Sequence, residues 1–281
     1  CEMRCWNRGP AIGWAAILVA LISPAVSAHD FWIEPATFHP QLGELVSISL
    51  REGDGFDGRP VPRDATRIAQ FIARGAGGAQ PIVGLDGRDP AGVARLSAPG
   101  MYVLGYQSNH AFTTMEAWRF EEHLIEKGLE KIAELRRKRG ISNRSAREAY
   151  SRYSKALVHA GDPSGEAASR PLGFKLELIA EFDPYEMGSR REASFRLLFD
   201  GKPLEGALVT ATSRDAPDSA MRARTDAEGR VKYRLRDTGA WLIAAVHMIE
   251  APPGLGAEWE SFWASLTFEL PGNDSILALK Q

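Results

Sequence analysis

The residues of this chain that are best suited to bind a metal ion stand where an export signal would be cut. Val26-Ser27-Ala28 has the small-x-small pattern of a signal-peptidase site, and His29 follows it. Cleavage there would give His29 a free α-amine beside its imidazole, and these two nitrogens together can chelate a transition metal. Asp30 adds a carboxylate, either as a ligand or as a hydrogen-bond acceptor for a ligating ring.

The segment before this site has the parts of a secretory signal. Arg4 and Arg8 supply positive charge, and the run from Ala11 to Ile22 is apolar. That run is shorter than the about 20 residues that a membrane-spanning helix needs. We therefore predict a signal peptide over residues 1–28 and a periplasmic mature protein that is not embedded in the membrane. Both cysteines lie in the segment to be removed, which leaves His, carboxylate, Met and backbone groups as metal ligands.

Composition indicates a globular protein with no nucleic-acid partner. Hydrophobic residues make up 44% of the 281-residue chain and charged residues 25%, which allows a sizeable core. The net charge of −2 predicts neither nucleic-acid binding nor polybasic attachment to a membrane. No Ser-His-Asp, Cys-His or paired-carboxylate arrangement is legible, and no glycine-rich phosphate loop occurs. We therefore predict that the protein is not an enzyme.

Other histidines are candidate partners for His29 in a metal site. His247 closes the apolar strand Trp241–Val246 and is predicted to point from the strand end into a site made with the N-terminus. The alternative is a structural histidine whose ring is hydrogen-bonded for packing reasons. His110, at the end of another predicted strand, is a second candidate, and His39 beside Pro40 is a third.

Most of the chain has the alternating pattern of β-strands. Leu45–Leu50 alternates with period two and ends at a glycine-rich turn. Further strands are predicted at Ala65–Ala73, Gln80–Leu85, Val93–Ser97, Met101–Gln107, Phe174–Ala180, Glu192–Phe199, Ala207–Ser213, Arg230–Leu235, Ala240–Met248 and Ser261–Leu270. Short strands at this spacing favour sandwiches over a βαβ fold. The loop Asp54–Gly58 is interpreted as a turn, because it lacks the remaining ligands of a calcium-binding EF-hand.

The middle of the chain changes to a helical period. A capping box at Thr113–Glu116 precedes apolar residues spaced by three and four from Phe120 to Leu135. A second capping box at Ser145–Glu148 precedes another apolar stripe that ends before Gly161. These two patterns predict a helical hairpin over about residues 114–160. Its many Lys and Arg residues are predicted to form a solvated face, with a docking face as the alternative, and His123 and His159 to lie on the helix surface.

The sequence thus predicts a mainly β fold of two immunoglobulin-like β-sandwich units with an inserted helical hairpin. The N-terminal β domain would span residues 29–183 and contain the hairpin. The C-terminal β domain would span residues 184–281.

Several motifs together resemble the DUF4198 family. They are Ala28-His29-Asp30-Phe31-Trp32-Ile33-Glu34-Pro35, Tyr150-Ser151-Arg152-Tyr153-Ser154-Lys155-Ala156-Leu157, Gly201-Lys202-Pro203-Leu204-Glu205-Gly206-Ala207, Thr225-Asp226-Ala227-Glu228-Gly229-Arg230, Gly239-Ala240-Trp241-Leu242 and Trp259-Glu260-Ser261-Phe262-Trp263-Ala264-Ser265-Leu266-Thr267-Phe268. The resemblance covers nearly the whole predicted mature chain. It implies a β-rich exported protein that acts as the periplasmic, substrate-facing component of nickel or cobalt uptake.

Three functions compete at this point. The first is a periplasmic protein that binds Ni, Co or Cu through His29 and His247 and passes it to a membrane metal transporter. The second is a metal-free β-sandwich module for adhesion or assembly, in which His29 would tolerate replacement. The third, ranked last, is a copper mono-oxygenase that uses an N-terminal histidine brace.

Overall fold

The strands of this protein form three sheets. The structure, a computed structural model, describes residues 29–161, 170–184, 187 and 191–272, so the predicted signal peptide lies outside the described residues. The strands are β1 (Asp30–Pro35), β2 (Leu45–Asp54), β3 (Asp57–Val61), β4 (Ile68–Gly75), β5 (Gly78–Pro81), β6 (Gly92–Arg95), β7 (Gly100–Ser108), β8 (Ala111–Met115), β9 (Ala146–Ala160), β10 (Leu176–Ala180), β11 (Glu192–Phe199), β12 (Lys202–Pro203), β13 (Leu208–Ser213), β14 (Ala216–Arg224), β15 (Arg230–Arg234), β16 (Gly239–Glu250) and β17 (Trp259–Leu270). The predicted mainly β fold is confirmed.

A nine-stranded sheet forms the middle layer. Its order is β14-β13-β16-β17-β9-β7-β4-β5, and β8 also pairs with β9. The pair of β17 and β9 is parallel, and the other pairs of this sheet are antiparallel. Strands from both sides of the predicted boundary at residues 183/184 share this sheet. The division into two domains stays a prediction, but the two segments build one common layer.

Two four-stranded sheets cover opposite faces of this layer. One contains β1, β2, β3 and β6, and the other contains β10, β11, β12 and β15. The side chains of β17 alternate between them, as in any strand. Phe268 belongs to the core beneath the second sheet, whereas the Thr267 hydroxyl donates to the Ile33 carbonyl of the first at 2.7 Å. The result is a sandwich on each face of the shared sheet.

The first predicted helix is confirmed in place but is divided in two. The helices are α1 (Ala117–Glu126) and α2 (Glu130–Lys138). Gly128 lies between them with φ +71°, a conformation that a residue with a Cβ adopts only at a cost. The apolar period continues across this break because both helices pack one face onto the same end of the central sheet, against Val246 and Trp259.

The second predicted helix is wrong, because that segment is the long strand β9. Its apolar residues fit a helical stripe, but they also fit a strand that is buried on both faces. Pairing decides between the two: β9 lies between β7 and β17 in the central sheet. The sheets packed on both faces of this layer then bury its last eight residues. The helical insert therefore ends at Lys138. His159 lies buried in β9, and His123 is on α1 but is also buried, so neither is on a helix surface.

The predicted solvated basic face of the helices contains a buried arginine. The Arg136 side chain is fully buried, with its guanidinium 4.9 Å from the Phe120 ring centroid. It donates to the Glu121 carboxylate at 2.7 Å and to the carbonyls of Ile141 and Arg144. This arginine therefore ties the two helices to the loop that follows them.

None of the helices in the described ranges is long and apolar enough to cross a membrane.

Candidate functional site

The start of β1 lies against the hairpin that joins β2 and β3. Asp30 pairs with Gly53, so the chain preceding it runs alongside Asp54 at the hairpin tip. Gly55 and Phe56 form the tip with φ +60° and +67°, which is the backbone of a two-residue hairpin turn. The interpretation of this loop as a turn is confirmed. The turn holds the Asp54 carboxylate in place, and His29 Nδ1 lies 2.6 Å from Asp54 Oδ2.

A cavity of about 290 Å³ opens beside this contact. Its walls come from the hairpin tip, the C-terminal end of α1, and strands β13, β14 and β16. Its charged residues are Asp30, Asp54, Glu126, Asp218, Lys127 and Arg222. Carboxylates outnumber cationic groups, so the field in this cavity favours cations.

Lys127 neutralises one of these carboxylates. Burial raises the pKa of Asp30, and the Lys127 ammonium, with Nζ 3.5 Å from Oδ1, opposes that effect. Burial lowers the pKa of Lys127, but the carboxylates of Asp30 and Glu126 outweigh burial and leave that pKa raised. The ammonium also lies 5.4 Å from the centroid of the Trp263 ring. Asp30 is therefore paired with a lysine, whereas Asp54 faces His29.

His247 lies on the other face of the central sheet. Val246 and Met248 belong to the core beneath the helices, whereas Ala245 belongs to the core beneath the sheet of β10–β12 and β15, and by strand alternation His247 faces the same way as Ala245. Its ring packs edge-on against Phe199 at 4.5 Å, and burial lowers its pKa, with the positive charge of Lys131 adding to the effect. The structure therefore does not bring His247 and His29 together.

The other candidate histidines pair with glutamates of β17. His110 Nε2 lies 2.9 Å from Glu260 Oε1, and His39 Nε2 lies 3.0 Å from Glu269 Oε2. These glutamates are at opposite ends of the strand, and neither histidine lines the cavity. Across the described part of the chain, no three side chains of His, Cys, Asp or Glu are grouped to hold a metal ion. A metal at His29 would therefore require the α-amine as a ligand.

Asp54 is the site residue that the sequence did not reveal. Its position in Asp54-Gly55 predicted a turn, which is correct, but the turn sequence does not say which strand lies beside it. Only the pairing of β1 with β2 brings it to His29.

A second polar cluster is buried beneath the helices. Glu148 accepts a hydrogen bond from the Ser261 hydroxyl, while its Oε2 has no hydrogen-bond partner among the described residues. Burial raises the pKa of Glu148 to about 7. Nearby, the His123 ring stacks on Trp263 at 5.6 Å, and burial lowers the pKa of His123 to about 4. At neutral pH this histidine is uncharged, so it does not balance an ionised Glu148.

We expect Glu148→Gln to stabilise the protein at alkaline pH. Because the folded state raises the pKa of Glu148, its favourable contribution is complete below the unfolded value of 4.5 and is lost as the pH rises through about 7. At about 1.4 kcal/mol per unit of pKa, the gain at pH 8 is at most about 3 kcal/mol, and it shrinks towards zero at pH 4.5. Urea unfolding at several pH values measures it. The exposed Glu228→Gln is the control, and a gain that does not vary with pH would contradict the prediction.

The chain was compared with protein families, with curated proteins and with solved structures. The model of a domain of unknown function, DUF4198, matches residues 26–249. Comparison with curated proteins finds no match. Among solved structures, the D0-D1 domain of Intimin is similar at 12% sequence identity, with 85% of this chain and 97% of that chain covered and a TM-score of 0.20.

Proposed function

This chain belongs to the DUF4198 family, and from that premise we propose that it is an exported periplasmic protein that binds a divalent transition metal at its processed N-terminus. The metal would be nickel, cobalt or copper, held for uptake by a membrane transporter. The observation that carries the proposal is the 2.6 Å separation of His29 Nδ1 and Asp54 Oδ2.

The atoms at this contact suit a metal once the chain begins at His29. The α-amine and Nδ1 of an N-terminal histidine close a chelate ring on one ion, and imidazole nitrogen suits Ni, Cu and Zn. Asp54 adds an oxygen ligand on the side where Nδ1 points. The metal would take the place of the proton that Nδ1 and the carboxylate share. In the uncleaved chain the same nitrogen is an amide and cannot serve.

The surroundings assign different roles to the two aspartates. Asp30 was predicted as a ligand or a supporting acceptor, and its contact with Lys127 favours the supporting role. Asp54 contacts His29 instead, and its side chain is 62% exposed, so water can exchange at the site. Glu126 and Asp218 add negative charge in the adjoining cavity, which favours the entry of a cation.

The proposal assigns binding and no catalytic step. Copper would bind most tightly in a simple titration whatever the natural cargo, because affinities for divalent ions rise along the Irving–Williams series to copper. The choice among nickel, cobalt and copper therefore depends on supply in the compartment as well as on the ligands.

The experiment compares two forms of the secreted protein, one starting at His29 and one that keeps Ala28. Each is titrated calorimetrically with Ni, Co, Cu and Zn after its mass is confirmed. We expect the extra residue to weaken the binding of Co and Zn at least about a hundredfold, or about 2.7 kcal/mol, because the backbone nitrogen of His29 is then an amide and no longer closes the chelate ring with Nδ1.

His247→Gln on the form that starts at His29 is the matched control. We expect it to bind metal as the unchanged protein does, because His247 faces the other sheet. Equal binding by the His29 and Ala28 forms would overturn the proposal.

A further inference from the structure

A second cavity of about 290 Å³ lies between the sheet of β1–β3 and the central sheet. It shares no lining residue with the cavity beside His29. It is lined by Phe31, Leu50, Glu52, Val61, Pro62, Asp64, Arg67, Tyr106, Ser108, Tyr150 and Arg152. Phe31 belongs to the first motif of the sequence, and Tyr150 and Arg152 belong to the motif on β9. Residues of two motifs that the metal site does not use therefore meet here.

Arg152 is fixed as part of the cavity wall. Its guanidinium lies 4.5 Å from the Phe31 ring centroid and 5.5 Å from that of Tyr150. It also forms an ion pair with Glu52, across from Phe31 in the register of β1 and β2. Phe31 in turn packs on Tyr106 with centroids 5.1 Å apart. The aromatic floor is thus preorganised before any ligand arrives.

The acidic groups of the cavity are already satisfied by protein donors. Glu52 accepts from Arg152 and, at 2.7 Å, from Arg59. Burial raises the pKa of Glu52, but these arginines outweigh burial and hold it below its usual value. Asp64 Oδ1 accepts from the backbone and hydroxyl of Thr66 at 3.0 and 2.6 Å. Neither carboxylate therefore needs a cationic ligand.

Three other donors of the cavity, Arg67, Tyr106 and Ser108, have no acceptor among the residues that the structure describes. The Arg67 guanidinium lines the cavity and makes no ion pair or hydrogen bond within the described ranges, while its charge, after the Thr66 hydrogen bond, helps to lower the pKa of Asp64. Burial raises the pKa of Tyr106, so its hydroxyl stays protonated and can donate. The Ser108 hydroxyl accepts from the Arg152 backbone at 2.9 Å and keeps its own proton to donate.

We propose that this cavity binds a small carboxylate with an apolar ring or chain. The carboxylate lies at the Arg67 guanidinium and the hydroxyls of Tyr106 and Ser108, where charge-assisted hydrogen bonds form. The apolar part packs on Phe31 and against Leu50 and Val61. The volume is close to the lower end of small-ligand pockets, about 300 Å³. This inference is independent of the proposed metal site.

The test uses benzoate as a charged probe and benzamide as its neutral counterpart, with chelator present. Benzoate is expected to bind saturably, and to bind at least about tenfold more tightly than benzamide. Arg67→Gln is expected to weaken benzoate about tenfold or more, because it removes the charge that meets the carboxylate. Arg234→Gln, exposed on β15, is the matched control and leaves the affinity unchanged.

Tyr106→Phe gives a second variant that keeps the ring and removes one donor. We expect a several-fold loss of benzoate affinity with unchanged circular dichroism, since only one hydrogen bond is lost. The proposal is overturned if benzoate gives no saturable binding, if benzamide binds as tightly, or if Arg67→Gln and Arg234→Gln behave alike.

Discussion

Glu177→Gln should lower the free energy of unfolding by about 3–5 kcal/mol, since it leaves the Lys155 ammonium buried without a counter-charge. Lys155 and Glu177 are 1% and 2% exposed, and Nζ lies 2.9 Å from Oε1. Burial lowers the pKa of Lys155, and the carboxylate opposes that effect. The pair joins β9 of the central sheet to β10 of the covering sheet, so its loss loosens the contact between layers.

The same carboxylate also organises the loop before β10. Its two oxygens accept hydrogen bonds from the backbone amides of Leu172, Gly173 and Phe174. The neutral amide of Gln offers one acceptor oxygen in place of two, so part of this loop is released as well.

Urea unfolding at neutral pH measures the loss. Glu134→Gln is the matched control, because it breaks an exposed ion pair with Lys138 at 2.8 Å and should change stability by less than about 0.5 kcal/mol. The double variant Lys155→Met, Glu177→Gln should lose less than the two single variants added together, because no charge remains buried. Equal losses in Glu177→Gln and Glu134→Gln would contradict the account.

Asp54→Asn is expected to weaken metal binding by the form that starts at His29 about tenfold to a hundredfold, because a neutral amide replaces the charged oxygen ligand. Calorimetric titration measures the loss. Asp57→Asn is the control: Asp57 pairs with Asp54 across the same hairpin but does not line the cavity. We expect that variant to bind as the unchanged protein does.

The pH dependence of this affinity gives a second measurement. Nitrogen ligands bind metal only when deprotonated, so affinity should fall as the pH is lowered. Similar titrations of Asp54→Asn and Asp57→Asn would show that Asp54 is not a ligand.

The alternation of apolar residues predicted most of the strands, because half-buried strands carry the period of two directly. It failed at β9, where burial on both faces removes the alternation and leaves spacings that a helix also has. What distinguishes the two is the pairing with β7 and β17, and a single sequence does not display pairing.

The sequence predicts one of the two side chains that meet at the candidate site. His29 was indicated by the cleavage pattern, because that is a local signal in consecutive residues. His247 is a candidate partner because it closes an apolar strand. The sequence does not show, however, which of the covering sheets its side chain faces. Asp54 comes to His29 through strand register alone.

The contact between Thr267 and Ile33 has a consequence for how the protein is made. It joins residues 234 positions apart, so the first strand gains this neighbour on the central sheet only after the last strand has been synthesised. Contacts of such long range slow folding, because the chain must be ordered over its length before they form.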